Sequence, residues 1–272
     1  MNLSLSTWLV RDYAVEEAIE LLADTGFEYL EMSCAASPLG QLWEQDAARA
    51  QRFAQAAGMN ITSVHDPDAG RFLDVADDAQ RRAGIHATMA YFRHCAEADA
   101  KLVVVHPTSQ GKFSSPQELA AVSRRSRESL VELADLADEL GIRMAVENLP
   151  TAGPPERPDG RVSGLLRLTE GLGEHVGICL DIGHTWMSGH SPVEEIHAAG
   201  AKLFSLHIHD VRERTHDHYV PGEGELDFGA VLSALTESGF SGAGVLEVGP
   251  HRGMPTDSLA ALRELHRAWS SL

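Results

Sequence analysis

The 272-residue sequence predicts an α/β fold of the (β/α)₈ barrel type, one domain over residues 1–272. Three observations predict it. Eight short apolar runs alternate with longer amphipathic stretches, the order expected of strands joined by crossover helices. Several runs are continuous in Val, Ile and Leu, as in parallel strands covered on both faces. The long segments rich in Gly, Pro and Asp follow the strands, where a barrel builds its functional face.

The predicted strands are 3–7, 29–32, 61–65, 102–106, 143–147, 176–181, 203–207 and 244–247, with Val103-Val104-Val105 the plainest buried run. Residues 15–25 put Val15, Ala18, Ile19 and Leu22 on one helical face and stop at Gly26. A longer helix, 119–140, stops at Gly141, and Gly58, Gly200 and Gly239 follow other helical stretches. Pro116 and Pro192 suit the first turns of helices, where a missing N–H costs nothing. The loops after strands, 66–77, 107–116, 148–163 and 208–228, are the long ones.

Composition narrows the function. The formal net charge of −18 disfavours a nucleic-acid partner, since such binding rests on phosphate neutralisation. No apolar run approaches the ~20 residues of a membrane span, and no basic leader precedes an apolar core, so a cytoplasmic protein is expected. Cys34, Cys95 and Cys179 form no CxxC pair and read as buried thiols. No GxGxxG follows the first strand and no GxxxxGK[ST] occurs, which removes the usual nucleotide-binding sheets.

The chemistry lies in what ends the strands: His65, His106, Glu147, Asp181, His207 and Glu247 close the last six in turn. A lone histidine after a strand is ordinarily a hydrogen-bonded cap. Six such residues converge in a barrel on one small volume. Gathering buried carboxylates requires a compensating cation. Glu147, Asp181, His207 and Glu247 would offer three oxygens and one imidazole, a set suited to Mn²⁺, Mg²⁺ or Co²⁺. Imidazoles from His65, His106 and His184 would favour Zn²⁺, or more than one metal. In His207-Ile208-His209-Asp210 both histidines can face inward. The expectation is that His207 is the ligand and that Asp210 orients it. Around this centre, His216, Asp217 and His218 sit in a loop that binds metal or substrate or is only a turn. Arg212, Arg214 and Lys112 are candidates for an anionic group, and Trp8 and Trp186 for the apolar face of a sugar or for rim packing.

The motifs Val146-Glu147-Asn148, Leu180-Asp181-Ile182-Gly183-His184, His207-Ile208-His209-Asp210, Pro221-Gly222-Glu223-Gly224 and Leu246-Glu247 resemble the xylose-isomerase-like barrel superfamily, in order, from first strand to last. By resemblance to its ketose 3-epimerases, Glu147, Asp181, His207 and Glu247 match four metal ligands and His184 matches a substrate-contacting histidine. Glu147 and Glu247 would also move protons through a metal-stabilised enediolate. The resemblance thus implies an isomerase or epimerase of carbohydrate metabolism, acting on a small sugar, sugar phosphate or polyol-derived substrate. His65, His106, His184, Arg212, His218, Trp8 and Trp186 would surround that substrate. The family's arginine after the His207 motif does not align cleanly with Arg212 or Arg214. An inosose-dehydratase-like lyase would use the same metal. The type IV apurinic endonucleases are the alternative branch: zinc phosphodiesterases of abasic DNA, with His65, His106, His184 and His218 in matching places. There the aspartate expected two residues before His218 is His216, and the cysteine before the DxxH histidine is Gly183. Barrels of this kind often form homo-oligomers.

Overall fold

The computed structural model describes residues 1–33, 36–66, 70–109, 113, 115–151, 156–250 and 254–269. Eight parallel strands close into a barrel: β1 (Asn2–Ser6), β2 (Tyr29–Ser33), β3 (Asn60–Asp66), β4 (Leu102–Val105), β5 (Arg143–Glu147), β6 (Val176–Asp181), β7 (Leu203–Ile208) and β10 (Ala243–Leu246). Two short strands, β8 (Asp210–Arg212) and β9 (His216–Tyr219), form an antiparallel hairpin in the connection after β7, which sequence reading leaves as loop. Cys34 and Lys112 lie outside the described residues.

Each predicted strand is present, 143–147 and 176–181 with the predicted bounds and the others shifted by one residue at one or both ends. Thr7 opens a 3₁₀ turn instead of closing β1, because the Ser6 hydroxyl accepts the Trp8 N–H and bends the chain. His106 lies one residue past β4, and β3 runs one residue beyond His65. The helix predicted over 119–140 begins earlier, at Pro116, where Ser115 caps the Glu118 N–H at 3.2 Å. Among the described residues no helix is long and apolar enough to cross a membrane.

Strand periodicity decides what faces the barrel interior. Leu30 and Met32, Val103 and Val105, Leu206 and Ile208 join the core between barrel and helices. Their alternates therefore point inward. Toward the amino-terminal end of the strands lies a small apolar cluster of Leu102, Val104, Ala145, Cys179 and Phe204. Toward the carboxyl end the inward positions are Glu31, His65, Glu147, Asp181, His207, His209 and Glu247, all buried. The sheet register sets Asp181 level with His207, and Glu147 level with Cys179.

Candidate metal centre

The ligand atoms of Glu147, Asp181, His207 and Glu247 lie within 4.8 Å of one another, each from a different barrel strand or its end. His207 Nδ1 is 3.1 Å from Glu147 Oε1 and 3.3 Å from Glu247 Oε2. His65 spans the same two glutamates, its Nε2 3.1 Å from Glu147 Oε2 and its Nδ1 3.2 Å from Glu247 Oε1. The Nε2 atoms of His65 and His106 approach to 3.1 Å, and His106 Nε2 is also 3.1 Å from Glu147 Oε2. With Glu147, these two histidines make a second metal-capable triad.

Apart from the His65–His106 pair, proximity here does not amount to hydrogen bonding. Both Glu147 oxygens, both His207 nitrogens, His65 Nδ1 and Glu31 Oε1 are buried without a hydrogen bond of acceptable geometry. Buried polar atoms are nearly always satisfied, and leaving one unmade costs about 1–3 kcal/mol. Carboxylates and imidazoles that converge without aligned hydrogen bonds are what a divalent cation satisfies. The donor set therefore fits a divalent metal.

Charge makes the same point. Burial alone would raise Glu147, but His207, His106 and His65 hold its carboxyl well below the ordinary value. Burial also opposes the ionised forms of Asp181 and Glu247; His184 and His209 lower the former, His207 and His65 the latter. Burial would lower His65, yet Glu147 and Glu247 raise it to about 10. His207 is likewise raised despite its burial, by Cys179, Glu247, Glu147 and Glu31. Without a cation the carboxylates thus draw protons onto the imidazoles that would otherwise be ligands.

Two buried residues complete this centre: sequence reading passed over Glu31 and allowed His209 an inward orientation without a role. Glu31, inward on β2 between Leu30 and Met32, brings Oε1 to 2.9 Å from His207 Nε2, while its Oε2 accepts the Ser63 hydroxyl at 2.9 Å. A glutamate flanked by two core residues in a strand was the available signal. His209 is fully buried with Nε2 3.1 and 3.0 Å from the two Asp181 oxygens. Burial would lower its pKa, and the Asp181 charge instead raises it to about 9, although the His218 N–H facing Nδ1 opposes a second ring proton.

Asp210 does not orient His207. Its Oδ1 accepts N–H groups from Val211 and Leu226, and its Oδ2 those of Gly222 and Gly224, at 2.7–3.1 Å. One carboxylate thereby ties the Pro221-Gly222-Glu223-Gly224 motif to the end of β7. A Cβ on Gly224 would meet the Val211 carbonyl at 2.3 Å and Asp210 Oδ1 at 2.4 Å, which explains the glycine.

The remaining predicted residues form the rim. His184 Nδ1 faces the Asn148 carbonyl at 3.1 Å, and its backbone N–H donates to Asp181 Oδ1 at 2.6 Å, so Asp181 also caps the short helix after β6. His218 packs edge-on against Trp8 at 4.8 Å, and its Nδ1 lies 2.9 Å from the Glu247 carbonyl. Burial and the neighbouring His209 lower His218 to about 4. Trp186 donates its indole N–H to Glu225 at 3.2 Å and carries the Arg214 guanidinium on its face at 4.3 Å. Arg212 lies over Tyr219 at 4.0 Å and donates to the Glu223 carbonyl, an exposed loop contact outside the buried cluster. Exposed His216 turns Nδ1 to Thr215 at 3.0 Å. Below the rim, the Thr108 hydroxyl donates to Asp159 at 2.8 Å and Arg157 pairs with Asp159 at 3.1 Å, fastening the loops after β4 and β5 together.

A closed parallel barrel with this cluster at the carboxyl ends of its strands belongs to the class of barrels that hold their chemistry at that face. Residues 19–269 match the family described as Xylose isomerase-like TIM barrel, and the chain belongs to that family. The D-psicose 3-epimerase of Agrobacterium fabrum is 26% identical over 242 residues, 84% of this chain and 77% of that protein. Matches to other curated relatives span from 50% to 84% of the relative's own length. Among solved structures, a D-tagatose 3-epimerase-like protein superposes with a TM-score of 0.82 at 20% identity, over 100% of this chain and 97% of the other. The IOLI protein with a bound zinc atom superposes with a TM-score of 0.80 at 21% identity, over 100% and 99%.

Proposed function

We propose that the chain is a metal-dependent sugar isomerase or epimerase, with Glu147, Asp181, His207 and Glu247 as metal ligands and Glu147 and Glu247 as the acid/base pair. The observation that carries this reading is the convergence of those four side chains within 4.8 Å, with both Glu147 oxygens and both His207 nitrogens lacking hydrogen bonds. Three carboxylates to one imidazole favour Mn²⁺, Mg²⁺ or Co²⁺ over zinc. A divalent ion there would act as a Lewis acid on the carbonyl and neighbouring hydroxyl of a bound ketose or polyol-derived ketone.

The protein's own groups handle the proton. Glu147 and Glu247 stay ionised despite burial, because His65 and His207 lie against both of them. A carboxylate so held can take the proton from the carbon next to the carbonyl; the second, once it has taken a proton from water, can deliver that proton to the same carbon while the first releases its own to solvent. His65, His106, His184 and His218, with Trp8 and Trp186, would position hydroxyls and one apolar sugar face. The epimerase names of the relative and of the solved neighbour support the substrate class.

The test is a panel of ketoses incubated in deuterated water with each divalent ion, with deuterium at the carbon next to the carbonyl followed by NMR. Wild type should incorporate deuterium. Glu147→Gln and Glu247→Gln should each slow incorporation by about 10²–10⁴-fold. Undiminished exchange in both variants would contradict the two-glutamate scheme.

A second reading, zinc-dependent phosphodiester hydrolysis, is favoured by the His65–His106–Glu147 triad. Against it stand the net charge of −18 and the outward-turned His216. Cleavage of abasic DNA by protein carrying two or three zincs would favour this reading over the first.

A further inference from the structure

We infer that His209 is a positioning residue that holds Asp181 in its metal-binding orientation, and that Gly183 is glycine because the His209 ring occupies its side-chain space. The inference rests on the reading of Asp181 as a metal ligand.

The tautomer of His209 can be deduced from its neighbours. The backbone N–H of His218 points at His209 Nδ1 from 2.9 Å. A backbone amide can only donate, so Nδ1 must present its lone pair. The ring proton is then on Nε2, which faces the two Asp181 oxygens at 3.0 and 3.1 Å. The longer 3.3 Å approach of Nδ1 to the Asp210 carbonyl is a contact between two acceptors and does not compete. His209 is thus a wedge, accepting from the hairpin on one side and donating to the carboxylate on the other.

Four other contacts fix the Asp181 backbone and one oxygen, one of them the Thr185 hydroxyl donating to the Asp181 carbonyl at 2.8 Å. The Asp181 N–H donates to Asn148 Oδ1 at 2.7 Å, its carbonyl accepts from Asn148 Nδ2 at 3.0 Å, and Oδ1 accepts the His184 N–H at 2.6 Å. Among the described residues His209 is the hydrogen-bond partner of Oδ2, its Nε2 shared with Oδ1, while His184 Nδ1 stands off at 3.4 Å. Rotation of the carboxylate about its last bond would break that bond, so the ring sets which lone pair of Oδ2 faces the centre.

The ring needs room. A Cβ on Gly183 would lie 2.0 Å from His209 Cε1 and 2.5 Å from Nδ1, far inside contact distance. Residues 183 and 209 are therefore coupled: this imidazole requires a glycine beside it. His209 also packs on His218 with ring centroids 4.1 Å apart, so a shift of the ring would be felt in the hairpin.

Two amides separate its two hydrogen bonds. Gln can offer an N–H where the ring has Nε2, and Asn an acceptor where the ring has Nδ1. In chelator-stripped protein titrated with Mn²⁺, with free Mn²⁺ counted by electron paramagnetic resonance, His209→Gln should bind within about threefold of wild type. His209→Asn should bind about 10–100-fold more weakly. Gly183→Ala should weaken binding comparably in the native background and add little to His209→Asn, a non-additive pair. Thermal melting of each variant keeps folding separate from binding. Wild-type affinity in His209→Asn, or equal losses in the Gln and Asn variants, would overturn the inference. So would the loss of one ion per chain with the remainder bound as before, since His209 would then be a ligand beside His184 and His218. Asp181→Asn serves as the control for the underlying reading. If it loses Mn²⁺ while His209→Asn does not, the ligand assignment stands and the positioning role falls; if it binds as wild type, both fall.

Discussion

Two sides of the barrel mouth use the same residue types and treat them differently. Around Glu147, the side chains of His65, His207 and Glu31 approach one another to about hydrogen-bond distance and yet leave six buried atoms without a hydrogen bond. Around Asp181, Asn148, His184 and His209 meet the carboxylate and its backbone with hydrogen bonds of 2.6–3.1 Å. The first side is electrostatically incomplete and the second is a finished scaffold. A buried polar network that is only partly satisfied is costly, and a protein keeps one where a ligand completes it. The difference teaches where the cation belongs and which residues hold its ligands in place.

The largest effect should come from removing an incomplete-side ligand. His207→Ala is expected to lose divalent metal by 100-fold or more, and activity with it; metal analysis after gel filtration checks this, and stoichiometric retention would remove His207 from the ligand set. Next is Glu31→Gln, which keeps volume but removes the charge facing His207 Nε2. Metal affinity should fall about 10–100-fold, with Ser63→Ala giving a smaller loss in the same titration. An unchanged affinity would assign Glu31 to packing alone.

A smaller effect tests the charge balance itself. His65 is raised from 6.5 to about 10 in the metal-free protein, so its contribution to stability is full below 6.5 and is lost as pH rises toward 10. The lowered carboxyls of Glu147, Asp181 and Glu247 contribute above their ordinary range and lose that contribution in acid. The melting temperature of stripped protein should therefore drop between pH 6.5 and 10, and bound metal should flatten that drop by replacing the protons. Identical alkaline slopes with and without metal would contradict this.

The smallest effect lies on the finished side of the mouth. Asp210→Ala frees four N–H groups of the hairpin and its following loop. Faster amide exchange and easier proteolysis over 220–226 are expected, with metal affinity little changed. Unaltered exchange there would mean the loop is held by other contacts.

Much of the fold was legible because strand and helix periods are local properties: Val103-Val104-Val105 and the Gly-terminated helices identify themselves. The candidate ligands were legible because a charged residue ending an apolar run is conspicuous. Glu31 was less so, since it sits inside its strand and its partner His207 is 176 residues away along the chain. His209 was legible as an inward-facing residue by strand alternation, but its bond to Asp181, 28 residues away along the chain, was not. Asp210 was misassigned because its adjacency to His207 in sequence says nothing about a carboxylate that turns instead toward N–H groups 12–16 residues on. Backbone acceptors and donors brought in by a distant loop leave no mark on the local pattern.

The most direct measurement is a metal count on chelator-stripped, folded protein titrated with Mn²⁺, Mg²⁺, Co²⁺ and Zn²⁺, with proton release recorded in parallel. The account predicts about one tightly held divalent ion per chain and proton release on binding, both abolished in His207→Ala. A folded protein that binds none of the four ions would contradict it.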